Sequence, residues 1–315
     1  MQDQNLAIEA INLGREFGGK KVVQNLSLKV EKGQIYGFLG PNGAGKSTTV
    51  KILVTLLEAS SGEAKILGKD IRTESAEVRL AIGVALQEAS LDGSQTGLEF
   101  LKLQGSLYGL SKSQIENRIK DLTPLIDIGD AINKQIKTYS GGMKRRLDLA
   151  ASIIHNPKVL FLDEPTTGLD PISRAKVWKE VSRLNKELGM TIFLTTQYLE
   201  EADQLADKVG IINDGKLVAE GTPKELKDSI GKDLMIITVQ NLTGDILAKI
   251  NQIEGVDKAE LKGEELTVVA GSSVVGKVVS ELNNGKASIT SLTFRTTTLD
   301  DVFLEVTGNR LNNQN

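Results

Sequence analysis

The chain contains no cysteine, a single histidine, no marked excess of either charge and no long apolar run. Each absence closes a class of function. Without cysteine there are no disulfides, no thiolate metal sites and no thiol nucleophile. His155 is the only histidine, which disfavours a histidine-based metal cluster or a serine–histidine–aspartate triad. Lys and Arg total 38 against 41 Asp and Glu, a net charge of −3 with both signs mixed. No nucleic-acid partner and no anionic-lipid surface is indicated by such a balance. No stretch approaches the roughly 18 apolar residues that a membrane span needs, and the polar start Met1-Gln2-Asp3-Gln4-Asn5 is no signal peptide. The expectation is a cytoplasmic protein whose membrane role, if any, requires a partner. What is present is an ordinary globular composition, 40% hydrophobic and 25% charged over 315 residues, enough for one large domain and a smaller one.

Apolar alternation predicts half-buried strands at Leu6–Leu13 and Val22–Val30. A buried strand at Gln34–Gly40 runs into a Gly-rich loop and a helix over Ser47–Leu57, and strand-like text recurs at Ala64–Leu67 and Ile82–Gln87. From about Ser90 the pattern turns helical, with capping boxes at Thr96/Glu99 and Ser111/Gln114. A strand (Val159–Asp163), a helix (Pro171–Leu188), a strand (Thr191–Thr195), a helix (Leu199–Leu205) and a hairpin turning at Asp214-Gly215 follow. Strand–helix alternation of this kind predicts an α/β fold with a largely parallel sheet covered on both faces. Thr222-Pro223 through Lys232 reads as the end of the first domain. The remainder, with strands at Leu234–Val239, Val256–Leu261, Leu266–Ala270 and Ala287–Phe294 and helices at Asp245–Ile253 and Ser273–Leu282, has the β-α-β-β-α-β order of a ferredoxin-like unit. A last amphipathic helix, Leu299–Val306, is capped by Thr298. The boundaries expected are 1–228, with a helical insert at about 90–154, and 229–315 for a small C-terminal α+β domain.

Three segments carry chemistry. Gly40-Pro41-Asn42-Gly43-Ala44-Gly45-Lys46-Ser47 matches the phosphate-loop pattern with a strand before it and a helix after it. Backbone N–H groups freed by the glycines can cradle phosphate oxygens at a helix N-terminus. Lys46 is expected to reach the β- and γ-phosphates and Ser47 to ligate Mg²⁺. Val159-Leu160-Phe161-Leu162-Asp163-Glu164 is a buried strand ending in two acids. There Asp163 would complete the metal shell and Glu164 would polarise the attacking water. Tyr139-Ser140-Gly141-Gly142-Met143 opens a helix shortly before that strand.

In this order and spacing the segments resemble the ATP-binding-cassette (ABC) family over about residues 5–225, with Tyr139 and Met143 departing from the usual Leu-Ser-Gly-Gly-Gln signature. The resemblance implies a P-loop NTPase, a RecA-like core with an antiparallel β subdomain and a helical insert, that binds ATP and Mg²⁺. It implies that Phe17 stacks on adenine, that Thr48 adds to the phosphate loop, and that Gln87 senses metal and water while facing a membrane subunit. Ser140, Gly141 and Gly142 would close over the γ-phosphate held by a second copy of the chain, which the Gly168-Leu169-Asp170 loop would also touch. Gln197 stands where the family usually has a histidine. Glutamine can hydrogen-bond phosphate or water but cannot carry a proton. The run from Thr195 to Asp203 and the tail from Leu299 to Gly308 resemble exporter ATPases of the daunorubicin and doxorubicin type, in which this glutamine is usual. The implied function is an ATPase subunit, peripheral on the inner face of the membrane, driving drug, antibiotic or lipid-like export through a separate integral-membrane permease. The alternative from another class is a soluble, non-transport ABC ATPase. Other residues take plainer readings: His155 structural, Trp178 helix packing, and Lys144-Arg145-Arg146 a solvated charged face.

Overall fold

Gly18 and Gly19, at φ 53° and 83°, take a left-handed backbone and turn β1 (Leu6–Phe17) back onto β2 (Lys20–Glu31). A computed structural model describes residues 5–87, 91–230, 234–285 and 287–308 of the chain. Readings placed on Met1–Gln4, on Ser90 as the head of the insert, on Lys232 as a domain end and on 309–315 lie outside those residues.

After the hairpin come β3 (Ile35–Leu39), α1 (Lys46–Leu53), β4 (Ser61–Ile66), β5 (Lys69–Asp70), α2 (Ser75–Ala81) and β6 (Ile82–Ala85). The helical insert follows as α3 (Gly97–Leu107), α4 (Lys112–Ile126) and α5 (Gly141–Ser152). Then come β7 (Val159–Asp163), α6 (Pro171–Leu188), β8 (Thr191–Thr196), α7 (Leu199–Leu205), β9 (Lys208–Asn213) and β10 (Lys216–Gly221). One antiparallel sheet has the order β2-β1-β4-β5; a second, six-stranded, runs β10-β9-β3-β8-β7-β6. In the larger sheet β9, β3, β8, β7 and β6 are parallel, and only β10 returns antiparallel. Every residue of β3, β7 and β8 is buried, as expected where both faces of a parallel strand are covered. Four aromatic rings meet here: Phe193 lies 5.4, 5.5 and 5.6 Å from the rings of Tyr36, Phe38 and Phe161. That cluster packs the central strands against the antiparallel sheet. A second core joins the other face to the insert through Leu101, Leu147, Leu162 and Leu194.

Both predicted capping boxes form, with Thr96 and Glu99 satisfying each other's backbone N–H and Ser111 and Gln114 doing the same. The helix expected to reach Leu57 stops at Leu53. Thr55, a β-branched residue at φ 65°, breaks the helical path, and Leu56 and Leu57 N–H fold back to the Lys51 carbonyl. α2 and β5, of seven and two residues, are too short to leave a periodic signature.

The chain divides into two compact units, the second beginning at Lys224. Within the segment 222–232, Pro223 opens α8 (Pro223–Ile230), at the first helical position where its missing N–H costs nothing. The second unit continues with β11 (Leu234–Gln240), α9 (Gly244–Asn251), β12 (Val256–Lys262), β13 (Glu265–Ala270), α10 (Val275–Asn284), β14 (Ser288–Arg295) and α11 (Leu299–Thr307). Its antiparallel sheet has the order β12-β13-β11-β14, the ferredoxin-like arrangement, over a core of Ile237, Val268, Val278 and Leu282. Thr298 caps α11 through a reciprocal pair with Asp301, and Leu299, Val302 and Phe303 on that helix are buried.

Candidate functional site

The β3–α1 loop is shaped by close approach. Gly45, at φ 106°, has its α-carbon so near the Val22 carbonyl that an added Cβ would lie 2.7 Å from that oxygen. Any larger residue would push the loop off β2. The other side rests on the β9–β10 turn, where Gly215 N–H donates to the Ala44 carbonyl at 3.0 Å. Within the loop Pro41 is half-buried, Asn42 and Gly43 face solvent, and Gly40, Ala44, Gly45 and Lys46 are buried. Ser47 and Thr48 are half-buried at the start of α1. The Lys46 ammonium donates to the Gly40 carbonyl at 2.7 Å and the Pro41 carbonyl at 3.2 Å, and pairs with Glu164 at 3.3 Å. Burial lowers its pKa, and the Glu164 and Asp163 carboxylates oppose that shift.

Four elements converge on Asp163 and Glu164. Ser47 hydroxyl donates to Asp163 at 3.2 Å, and Gln87, just past β6, donates to Glu164 at 3.3 Å. Thr167 donates to the same Glu164 oxygen at 3.2 Å. The Thr195 hydroxyl, at the end of β8, donates to Asp163 and accepts from Glu164 N–H. Glu164 holds a left-handed backbone at φ 48°, a conformation that costs an ordinary residue about 1 kcal/mol or more. It turns the carboxylate off the strand end toward Lys46 and Gln87. Thr167 and Thr195 had no signal in the sequence, because a lone threonine at a strand end or turn fits any solvated position.

The charged run on α5 is corrected by the structure. Arg145 is buried, not solvated. Its guanidinium donates to the Pro165 carbonyl at 2.9 Å, to Leu86 at 2.6 Å and to Asp163 at 3.2 Å, and it pairs with Asp148 at 3.3 Å. It thereby ties the helix opened by Ser140 to the backbone on both sides of Glu164 and to the residue before Gln87. Helical phase was the available signal, since Arg145 shares a face with Leu149 and Ser152, both buried.

Ser140 caps α5 by accepting from Met143 N–H, and Ser140 and Gly141 are exposed. Gly142 approaches α6 closely, where a Cβ would lie 3.0 Å from the Ser173 hydroxyl. Asp170 caps α6 through Ile172 and Ser173 N–H and the Ser173 hydroxyl. Phe17 is exposed at the end of β1, with the Arg15 guanidinium 4.4 Å over its ring. Gln197 is half-buried just past β8. The structure thus brings Lys46, Ser47, Gln87, Asp163 and Glu164 into one bonded cluster. Among the described residues no hydrogen bond or ion pair joins Phe17, Ser140, Asp170 or Gln197 to it. His155 accepts a structural place, its ring stacked 3.6 Å from Tyr108 and Nε2 3.0 Å from the Ile82 carbonyl. Trp178 packs α6 against α7 and donates to Glu201 at 2.8 Å.

The cluster suits a hard cation held jointly with a substrate. Ser47 and Asp163 offer oxygens at the mouth of the loop, with Gln87 adjacent. Magnesium takes few protein oxygens and fills its octahedron with phosphate and water. Among the described residues no group of three or more His, Cys, Asp or Glu could hold a metal alone.

The ABC transporter family model matches residues 23–167, and that of the DrrA1-3-like ATP-binding protein C-terminal domain matches 221–307. The daunorubicin/doxorubicin resistance ATP-binding protein DrrA of Streptomyces peucetius is 41% identical over 96% of this chain and 92% of its own length. The linearmycin resistance ATP-binding protein LnrL of Bacillus subtilis is 34% identical over 96% of this chain and 99% of its own. A solved ATP-binding subunit of an ABC transporter superposes with a TM-score of 0.65 at 26% identity, covering 71% of this chain and 93% of that one.

Proposed function

The chain belongs to the ABC transporter family as an ATP-hydrolysing, ATP-binding subunit of the drug- and antibiotic-resistance exporter type, and from that premise we propose how its residues divide the work. The supporting observation is the Lys46–Glu164 pair, buried at the junction of the phosphate loop and the β7 end. A γ-phosphate carries more charge than one carboxylate and offers the Lys46 ammonium stronger hydrogen bonds than two carbonyls do. ATP would draw Lys46 away and release the Glu164 carboxylate toward water. Gln87 and Thr167, both on the other Glu164 oxygen, fix the orientation in which that carboxylate accepts the water's proton. Ser47 and Asp163 would hold Mg²⁺, which when bound neutralises charge on the β- and γ-phosphates. Loop N–H groups from Gly40 to Thr48 would cradle the phosphates, Phe17 would stack on adenine, and Gln197 would contact the γ-phosphate as a neutral sensor.

Ser140, Gly141 and Gly142 with Asp170 would complete the site of a second copy of the chain. Exposure of Ser140, Gly141 and Asp170 at the starts of α5 and α6 supports this, because the exposed start of α5 presents backbone N–H groups to an anion. Two ATP molecules would then hold a head-to-tail dimer that hydrolysis releases. Among the described residues no helix is long and apolar enough to cross a membrane; the chain would sit on the inner face of the membrane through a separate integral-membrane permease that carries a drug, antibiotic or lipid-like cargo. No observation favours the soluble, non-transport alternative. The test is Mg²⁺-dependent ATPase rate against protein concentration for wild type and Glu164→Gln. A rate rising faster than linearly and lost in the variant is expected. A linear rate that survives Glu164→Gln would overturn the assignment.

A further inference from the structure

Glu201 on α7 is completely buried, yet it belongs to no part of the phosphate site described above. One of its carboxylate oxygens accepts from the Thr166 hydroxyl at 2.9 Å and from the Trp178 indole N–H at 2.8 Å. Burial raises its pKa, opposed by the hydrogen bonds from Trp178 and Thr166. An apolar side chain would fill such a place at lower cost to folding. The arrangement therefore invites a reading beyond packing.

The partners define that reading. Thr166 lies two residues after Glu164, and its neighbour Thr167 faces the other way, onto the Glu164 carboxylate. Trp178 lies on α6, the helix that Asp170 caps. Both ends of the segment that carries Asp170 are thus fastened to one carboxylate. Glu201 itself sits four residues after Gln197. A second contact runs parallel to the first: the Arg174 guanidinium on α6 lies 4.5 Å over the ring of Tyr198, the residue next to Gln197.

We propose that Glu201 is a positioning residue for ATP hydrolysis, locking the Thr166–Asp170 segment to the Gln197 turn so that contact with a second copy of the chain and contact with the γ-phosphate move together. The inference rests on the ATPase reading above. It requires hydrogen-bond acceptance at Glu201 rather than its charge, because the Thr166 hydroxyl and the Trp178 indole that donate to it are uncharged. Glutamine should therefore replace it and leucine should not.

The test measures kcat and KM for ATP, with Mg²⁺, on the full chain carrying Glu201→Gln, Glu201→Leu, Thr166→Val or the last two combined. Thr166→Val removes one hydroxyl with little change of shape, so it remains informative if Glu201→Leu fails to fold. Glu201→Leu should lower kcat about tenfold or more, the effect of losing two buried hydrogen bonds, with KM within about twofold. Thr166→Val should lower kcat by about three- to tenfold, Glu201→Gln should stay within about threefold of wild type, and the double variant should be no worse than Glu201→Leu. Trp178 emission supplies a second readout, since it is the only tryptophan. In a Glu164→Gln chain it should respond to ATP, and added Glu201→Leu should abolish the response while ATP still binds. Unchanged kcat in Thr166→Val, a Glu201→Gln loss as large as that of Glu201→Leu, or additive losses in the double variant would overturn the proposal. Wild type without activity would instead bring down the ATPase reading, and this inference with it.

Discussion

Replacing Arg145 with alanine is the sharpest test of how the site is supported. The guanidinium satisfies carbonyls of Leu86, Asp163 and Pro165 and pairs with Asp148. Truncation leaves the Asp148 carboxylate, with a side chain only 15% exposed, without its cation, and strips three carbonyls of a donor. Breaking a buried pair from one side costs about 3–5 kcal/mol, against a usual folding stability of about 5–15 kcal/mol. The carbonyls add to that by up to about 1 kcal/mol or more each where no other donor reaches them. The expected loss is therefore at least about 4 kcal/mol. Urea unfolding followed by Trp178 emission measures it in the right place, because that tryptophan lies in the same compact unit as Arg145 and a chain of two units need not unfold in one step. Arg145→Lys should lose roughly half as much, since one ammonium cannot span all four acceptors. Joint replacement of Arg145 and Asp148 by leucine should recover part of the loss by removing the stranded carboxylate. A change in Arg145→Ala below about 1 kcal/mol, the size expected of a solvated surface charge, would refute the reasoning.

Gln197→Ala should lower the ATPase rate at least about tenfold and Gln197→His should retain it, as expected if the side chain donates to a developing phosphate charge; equal rates in wild type and Gln197→Ala would remove it from the mechanism. Burial pushes the Asp148 carboxyl up to about 6 from an ordinary 3.8, against the pull of Arg145. Because the folded state then holds that proton more tightly than the unfolded chain, its contribution to stability is present below the ordinary value and lost as pH rises through about 6. Thermal melting from pH 4 to 7 should show Asp148→Asn gaining on wild type by up to about 3 kcal/mol, and a constant difference across that range would contradict the assignment.

Much of the site was legible because its pieces are local. The phosphate loop needs glycines at fixed offsets before a helix, so Gly40–Ser47 announces itself within eight residues, and Val159–Glu164, a buried strand ending in two acids that alone fits many strand ends, gains its meaning from that loop upstream. The caps at Thr96, Ser111 and Thr298 are equally local, each closing within three residues. Arg145 and Glu201 were not legible in this way. A charge run on a helix reads as solvated unless the buried face is known, and each of these side chains meets partners 18 to 59 residues away.

The sequence by itself determined the nucleotide chemistry, the alternation of strands and helices and the order of the C-terminal unit, because glycine spacing, apolar period and capping act over one or two turns of chain. Only the tertiary structure decided which side chains support the phosphate site. Bringing α5 to the ends of β6, β7 and β8, and α7 to α6, turns Arg145, Thr195 and Glu201 from unremarkable polar residues into buried hydrogen-bonding groups. The low dielectric of that interior makes their partners obligatory, and no property of a linear segment reports which partners those will be.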